Sequence, residues 1–422
     1  MKFLKLKIFG KPHVLMFFGL MLSYSGSSVI EGAIPTLVAV GMLSPIWIPL
    51  YTTFSRAINA SAYVVARLIG HYSPYRVLLI CEVYDMVITV LVILLLYEGS
   101  LSTLVVLMTY FILASFIPVI TNIANGTYAG AISLKSESTA VTFNAFSLSL
   151  LTLATLVIGR PLGSLLVNYS IYLVLIVNLV MTAASFFFRW AAMKRDTMFP
   201  TGRNQYALNN NVSRLNLVEG IRYFGGQIFR LSASSPITTP LVYLSMGLFF
   251  YYLPLWLAEG SDRKGEIVAM AGVFGGLGSM IGPLLFFALK ERCRYRRHVT
   301  IAILVVAIDE IMLIGMVWRY GNALSIPVLC AYMALILLLY LAASYCNVAN
   351  LTARQKRYAG KRYPDMVGIA FSMASLAMLV GTWSGYMLDA SSHPMVALIL
   401  GAVIALLVTA GLWLKTTGKT DT

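Results

Sequence analysis

The sequence predicts an all-α membrane protein: twelve transmembrane helices in two six-helix halves around a central cavity. Three observations predict it. Of 422 residues, 59% are hydrophobic and only 11% are charged, a surface that a bilayer solvates and water does not. The apolar residues fall in stretches of about 20, the length a helix needs to cross the hydrocarbon core. Within that core the backbone must satisfy its own hydrogen bonds, which a helix does. The longest polar stretch, from Met193 to Ser235, divides these segments six and six.

In chain order the first six spans run over 13–35, 45–66, 78–97, 101–123, 139–166 and 170–192. The second six run over 237–258, 266–289, 298–318, 323–347, 366–389 and 394–414. Span one carries a polar run at Ser23–Ser28, and Asn122 and Asn125 blur the end of span four. The expected organisation is an N-terminal half over 1–192, a cytoplasmic linker over 193–236 and a C-terminal half over 237–422. Half-chain duplication of this kind is common in transporters, whose substrate sites lie near the midplane between the repeats.

Lys and Arg gather on the cytoplasmic side of membrane proteins. Here 26 of the 31 basic residues fall in the N-terminal tail, the even-numbered loops, the central segment counted from Arg189 at the end of span six, and the C-terminal tail. The odd-numbered loops hold only Arg263, Lys264 and Arg319. Both termini are therefore expected in the cytoplasm, in the plasma (inner) membrane. The net charge of +15 is dispersed over short loops, which argues against a nucleic-acid partner. The N-terminus is basic and then apolar, without a small-residue cleavage site at the expected place, so it reads as an uncleaved first span. Cys81, Cys293, Cys330 and Cys346 are irregularly spaced and fit neither a disulfide framework nor a metal site. No cofactor or metal is expected, and the chain reads as a monomer.

An internal echo supports duplication. Tyr75-Arg76 at the start of span three returns as Tyr295-Arg296, 220 residues later. Ile158-Gly159-Arg160-Pro161-Leu162-Gly163-Ser164-Leu165-Leu166 in span five compares with Val380-Gly381-Thr382-Trp383-Ser384-Gly385-Tyr386-Met387-Leu388 in span eleven, at an offset of 222. Both offsets are close to half the chain.

On these residues and this arrangement the chain resembles the major facilitator superfamily over its whole length. That family's loop between spans two and three usually reads like G-x-L-a-D-R-x-G-R-R. Here it reads Arg67-Leu68-Ile69-Gly70-His71-Tyr72-Ser73-Pro74-Tyr75-Arg76. Arg76 matches, while His71 stands at the Asp position and Pro74 at the second Gly. In the second half Glu291, Arg292 and Arg296 match the acid, its Arg and the closing base. The resemblance implies a cytoplasmic gate built on Arg76, Glu82, Asp85, Glu291 and Arg292. Gly159-Arg160-Pro161-Leu162-Gly163-Ser164 is similar to the G-P-x-x-G-G of the family's proton-driven exporters, with the proline displaced by one place. The sugar-efflux branch carries a similar I-G-P-P-L stretch. Small residues at spacings of three or four also let helices approach closely, so Gly159, Pro161, Gly163, Gly381 and Gly385 serve as a packing motif on either reading.

Ionisable groups inside spans cost about 2.5–3.5 kcal/mol each on insertion scales, so they point to function. Arg56 lies near the midplane of span two, with Asp309 and Glu310 about as deep in span nine. Glu31 and Arg160 sit in the outer parts of spans one and five. Glu82 and Asp85 lie one turn apart in span three, where pairing with the adjacent basic loop would latch the cytoplasmic face. Arg160 either snorkels outward or faces substrate. Asp309 and Glu310 point about 100° apart, so at most one faces the cavity comfortably. Glu31, Asp309 and Glu310 are candidate proton-coupling residues. Arg56, Arg160, Trp383 and Tyr24 are candidate substrate or gate residues. Arg56 cannot deprotonate and requires an anion: Glu31, another carboxylate or an acidic substrate group. Trp256 and Tyr251 read as interfacial belt residues.

The expected function is secondary transport, as a proton-coupled exporter of a small organic molecule such as a drug, sugar or peptide. An uptake permease and a non-transporting sensor on the same scaffold are the alternatives. No G-x-x-x-x-G-K-[ST] loop occurs, so the chain shows no ATP-driven engine. The four scattered histidines, His13, His71, His298 and His393, do not suit a membrane enzyme. The topology is testable in a background without native cysteines. With an impermeant thiol reagent on intact cells, Lys264→Cys should be labelled and Arg203→Cys and Lys356→Cys should not. Labelling of Lys356→Cys from outside would contradict twelve spans.

Overall fold

The computed structural model describes residues 11–61, 65, 72–99, 102–133, 149–196, 231–289, 294–323, 325–357 and 363–417. Among them the regular structure is helical. The first half runs α1 (Lys11–Ala39), α2 (Trp47–Ala60), α3 (Pro74–Glu98), α4 (Thr103–Ala114), α5 (Phe116–Ser133), a π turn (Leu153–Gly159) continuing into α6 (Arg160–Leu166), and α7 (Ile171–Arg195). The second runs α8 (Thr238–Gly247), α9 (Tyr252–Glu259), α10 (Lys264–Leu289), α11 (Tyr295–Tyr320), α12 (Ile326–Arg357), α13 (Tyr363–Met387) and α14 (Pro394–Thr417). Among the described residues ten helical segments are long and apolar enough to cross a membrane. With α2 and α13 they make the twelve spans.

Two spans are broken where one straight helix was expected. Span four breaks at Ser115, between α4 and α5, with Pro118 just inside the new helix. Pro118 has no N–H to continue the ladder. Span seven breaks between α8 and α9, where Leu248, Phe249 and Tyr252 bond three residues back rather than four.

The chain forms two compact units, Met1–Ala33 with Ser61–Asn211 and Ile34–Ala60 with Val212–Thr422. In the first, α3 packs against α4, α5 and α7. In the second, α10 packs on α12, α11 on α12 and α14, and α8 on α13 and α14. The helix α2 also belongs to the second unit, lying against α13. The segment leading into α8 is tied down by arginines of α12. Arg354 donates to the Ser235 carbonyl at 3.1 Å and to Thr239 Oγ1 at 2.8 Å, and Arg357 donates to Ser234 Oγ at 3.0 Å. Arg296, expected as the closing base of a gate signature, donates to the Leu412 carbonyl of α14 at 2.6 Å, satisfying a carbonyl near a helix end.

Small residues set the closest approaches. A Cβ on Gly163 would collide with the backbone of Val29 in α1, and one on Gly159 would lie 2.6 Å from Ser28 Cβ. In the second unit a Cβ on Gly381 would lie 2.6 Å from the Leu244 carbonyl, and Gly385 abuts Leu248 in the same way. Trp256 is buried against Tyr332, not placed in an interfacial belt, because α9 turns its apolar face into the unit. Cys81 and Cys346 are buried and Cys330 is exposed, all as free thiols; Cys293 lies outside the described residues.

Gly163→Ala should therefore lower the melting temperature of the detergent-solubilised protein, by the equivalent of about 1–3 kcal/mol for overpacking. Gly315→Ala should be neutral or stabilising, because nothing lies within 4 Å of an added Cβ there. Equal melting temperatures for the two variants would rule out the close α1–α6 contact.

Candidate functional site: ionisable groups within the spans

The π turn ends at Gly159 and hands Arg160 to α6, with the Arg160 N–H bonded to the Thr155 carbonyl five residues back. Such widened turns occur often at functional positions. Arg160 Nη2 meets Glu31 Oε2 of α1 at 3.0 Å, and each side chain is 26% exposed. Ser164 Oγ donates to the Gly32 carbonyl at 2.9 Å, and Gly32 itself abuts the Arg160 backbone. Arg160 therefore does not simply snorkel to the surface, and the cation beside Glu31 is Arg160 rather than Arg56.

Glu82 and Asp85 find their partners on α7, not in the described part of the loop before α3. Both are buried and face α7. Arg189 Nη1 lies 2.9 Å from Glu82 Oε1, with both side chains essentially inaccessible to solvent. The approach is poorly aligned for a hydrogen bond, so the attraction is coulombic. Ser185 Oγ sits 2.9 Å from the same carboxylate and 2.8 Å from the Gly19 carbonyl of α1. Thr182 Oγ1 donates to Asp85 Oδ2 at 2.9 Å, and Asn178 Nδ2 donates to Thr89 at 3.2 Å and Tyr110 at 3.3 Å. The physical reason is depth. A carboxylate inside a helical bundle needs a partner at its own level, and α7 supplies it. Arg189 had been counted with the cytoplasmic charges; it is a buried counter-ion.

The second unit has a comparable nest without a base among the described residues. Asp309 and Glu310 of α11 are both fully buried. Ser245 Oγ of α8 donates to Glu310 Oε1 at 2.6 Å and lies 3.2 Å from the Gly401 carbonyl of α14. Neither carboxyl oxygen of Asp309 has a hydrogen-bond partner among the described residues. Glu310 is thus the member that bonds to a neighbouring helix.

The remaining candidates separate. Tyr24 donates to Asn122 Oδ1 across α1 and α5. Trp383 Nε1 donates to Thr53 Oγ1 of α2 at 2.8 Å. Arg56 is partly buried and lies within electrostatic reach of the Tyr243 hydroxyl, as does Arg354. Arg76 is exposed at the start of α3, while Glu291 and Arg292 lie outside the described residues. Sequence reasoning missed Arg189, Ser245 and Tyr243. A depth count along span six was the one signal for Arg189; neutral Ser245 and Tyr243 gave none.

No family model and no curated protein matches the chain. Solved structures do. A bacterial homologue of the iron transporter ferroportin in the inward-facing state superposes with a TM-score of 0.65 at 12% identity, covering 97% of this chain and 99% of that one. The nucleoside transporter NupG gives 0.65 at 12% identity, covering 97% and 100%. A POT family transporter in complex with a thioalcohol-conjugated peptide gives 0.72 at 10% identity, covering 97% and 96%. The protein is an integral, multi-pass membrane protein with the fold of major facilitator superfamily transporters.

Removing one member of a buried ion pair strands the other at a cost of about 3–5 kcal/mol. Arg189→Gln alone should therefore lower the melting temperature more than the double variant Glu82→Gln/Arg189→Gln. Additive losses in that double-mutant cycle would mean the two groups are not coupled.

Proposed function

We propose that the protein is a secondary active transporter that moves a small organic molecule by alternating access, driven by protons. The observation that carries this reading is the fold: correspondence with transporter structures runs over 97% of the chain. The absence of a nucleotide-binding loop from the sequence favours an ion gradient as the energy source. Export is the direction favoured by the resemblance of the Gly159–Ser164 segment to the exporter pattern. We place the protein in the plasma (inner) membrane, with both termini and the 193–236 linker in the cytoplasm.

Among the three carboxyls proposed for coupling, Glu31 stands beside a permanent cation, Arg160. No base meets Asp309 or Glu310 among the described residues, and their polar neighbour is the Ser245 hydroxyl. Burying an ionised carboxylate without a counter-charge is costly, and a proton removes that charge. The α11 pair is therefore our first choice for the proton site, with Glu31–Arg160 as a contact that locks α1 to α6.

The test uses proteoliposomes and a panel of sugars, short peptides, nucleosides, chelators and drugs. The double variant Asp309→Asn/Glu310→Gln should lose uptake driven by a pH gradient while keeping exchange of substrate for substrate, which needs no proton release. Glu31→Gln should keep a larger share of the driven uptake. Driven uptake at the normal rate in the double variant would refute the assignment.

A further inference from the structure

We infer that the substrate carries an anionic oxygen group, a carboxylate or a phosphate, and that Arg56 is the residue that binds it; this deepens the transporter reading above and rests on it. Arg56 lies nine residues beyond Trp47 in α2. At a rise of 1.5 Å per residue that is about 14 Å from the outer end of the helix, near the bilayer midplane. A guanidinium at that depth cannot shed its proton and is too far from either surface to snorkel fully.

The other two arginines in helical spans whose partners were in question have carboxylates: Arg160 has Glu31, and Arg189 has Glu82. Arg56 has neither a carboxylate nor a hydrogen-bond acceptor among the described residues. Arg354, itself buried and held by Ser235 and Thr239, lies within electrostatic reach of the same Tyr243 hydroxyl. The structure thus places the Arg56 guanidinium inside a membrane span with no anion for it among the described residues, a costly arrangement unless an outside anion joins it.

The surroundings suit a small organic acid. Thr53 lies one turn before Arg56 on nearly the same face of α2 and accepts the Trp383 N–H at 2.8 Å. That side of α2 therefore faces α13. Arg56 is only partly buried, so its fork of donors remains available. A planar guanidinium matches the paired oxygens of a carboxylate or phosphate, where a lysine would not. The Tyr243 hydroxyl can donate a further hydrogen bond, and the Trp383 ring offers an apolar surface to the body of the ligand.

The experiment reads the local potential directly. In a cysteine-free background carrying Thr53→Cys, purified protein in nanodiscs is treated with two methanethiosulfonate reagents of similar size, one sulfonate and one trimethylammonium. Each rate is divided by the reagent's rate with free 2-mercaptoethanol. The normalised rate should favour the anionic reagent by about tenfold, the effect of roughly 1.4 kcal/mol of local potential. Adding Arg56→Gln should remove most of that preference, and Arg56→Lys should keep it. In proteoliposomes, transported acids should outcompete their matched neutral amides, and Arg56→Gln should raise KM for the acid at least tenfold. Equal or cation-favoured labelling with Arg56 present, or no labelling by either reagent, would overturn the anion site. So would transport of amides as readily as acids with no change in Arg56→Gln, which would leave the transporter reading intact. Anion-favoured labelling in a protein that moves no member of the panel would instead remove the transporter reading and leave the anion site standing.

Discussion

A charge placed inside a bilayer has to meet an opposite charge or a hydrogen-bond partner at its own depth, and the packing of both units is arranged around that demand. In the first unit the third, sixth and first spans meet where Glu82, Arg189 and Ser185 surround the Gly19 carbonyl. In the second unit the corresponding spans meet where Glu310 and Ser245 surround the Gly401 carbonyl. The same parts recur: an acid on the third span, a serine hydroxyl and a glycine carbonyl. The first and sixth spans exchange the serine and the glycine between the units. The decisive difference is the arginine. One nest is neutralised within the chain; the other holds two carboxyls and no base among the described residues.

That difference separates structural charge from working charge. Pairing Glu82 with Arg189, or Glu31 with Arg160, fixes helices against each other and leaves little for a solute or a proton to do. Groups without partners are where outside chemistry has room to enter. Among the described residues they fall in the second unit, as Asp309 on α11 and the Arg56 guanidinium on α2. Backbone contacts at glycine hold the helices of each unit close together. Gly163 against Val29 and Gly381 against Leu244 leave no space for even one methyl group.

Much of this frame was legible in the sequence, because crossing a bilayer imposes length and composition on a helix whatever its neighbours are. The span count needed no knowledge of packing. Partners were another matter. Glu82 and Arg189 are over a hundred residues apart, and nothing local tells a span-three acid whether a loop lysine or a span-six arginine will meet it. The positive-inside rule counts charges without measuring depth, and for that reason it placed Arg189 among the cytoplasmic bases. The breaks at Ser115 and between α8 and α9 escaped notice since apolar length alone does not distinguish one helix from two. Glu31 was singled out correctly as a charge in a span, but its partner came from the π turn before Arg160, a feature with no sequence signature of its own.

The division between paired and unpaired charge rests most directly on whether the α11 carboxyls exchange protons with the medium. Infrared difference spectroscopy of the reconstituted protein during a pH titration detects this through the C=O stretch of a protonated carboxyl. The account predicts a carboxyl band that responds to pH and vanishes in Asp309→Asn/Glu310→Gln while surviving in Glu82→Gln. A pH-responsive band that persists in the α11 double variant and disappears in Glu82→Gln would contradict it.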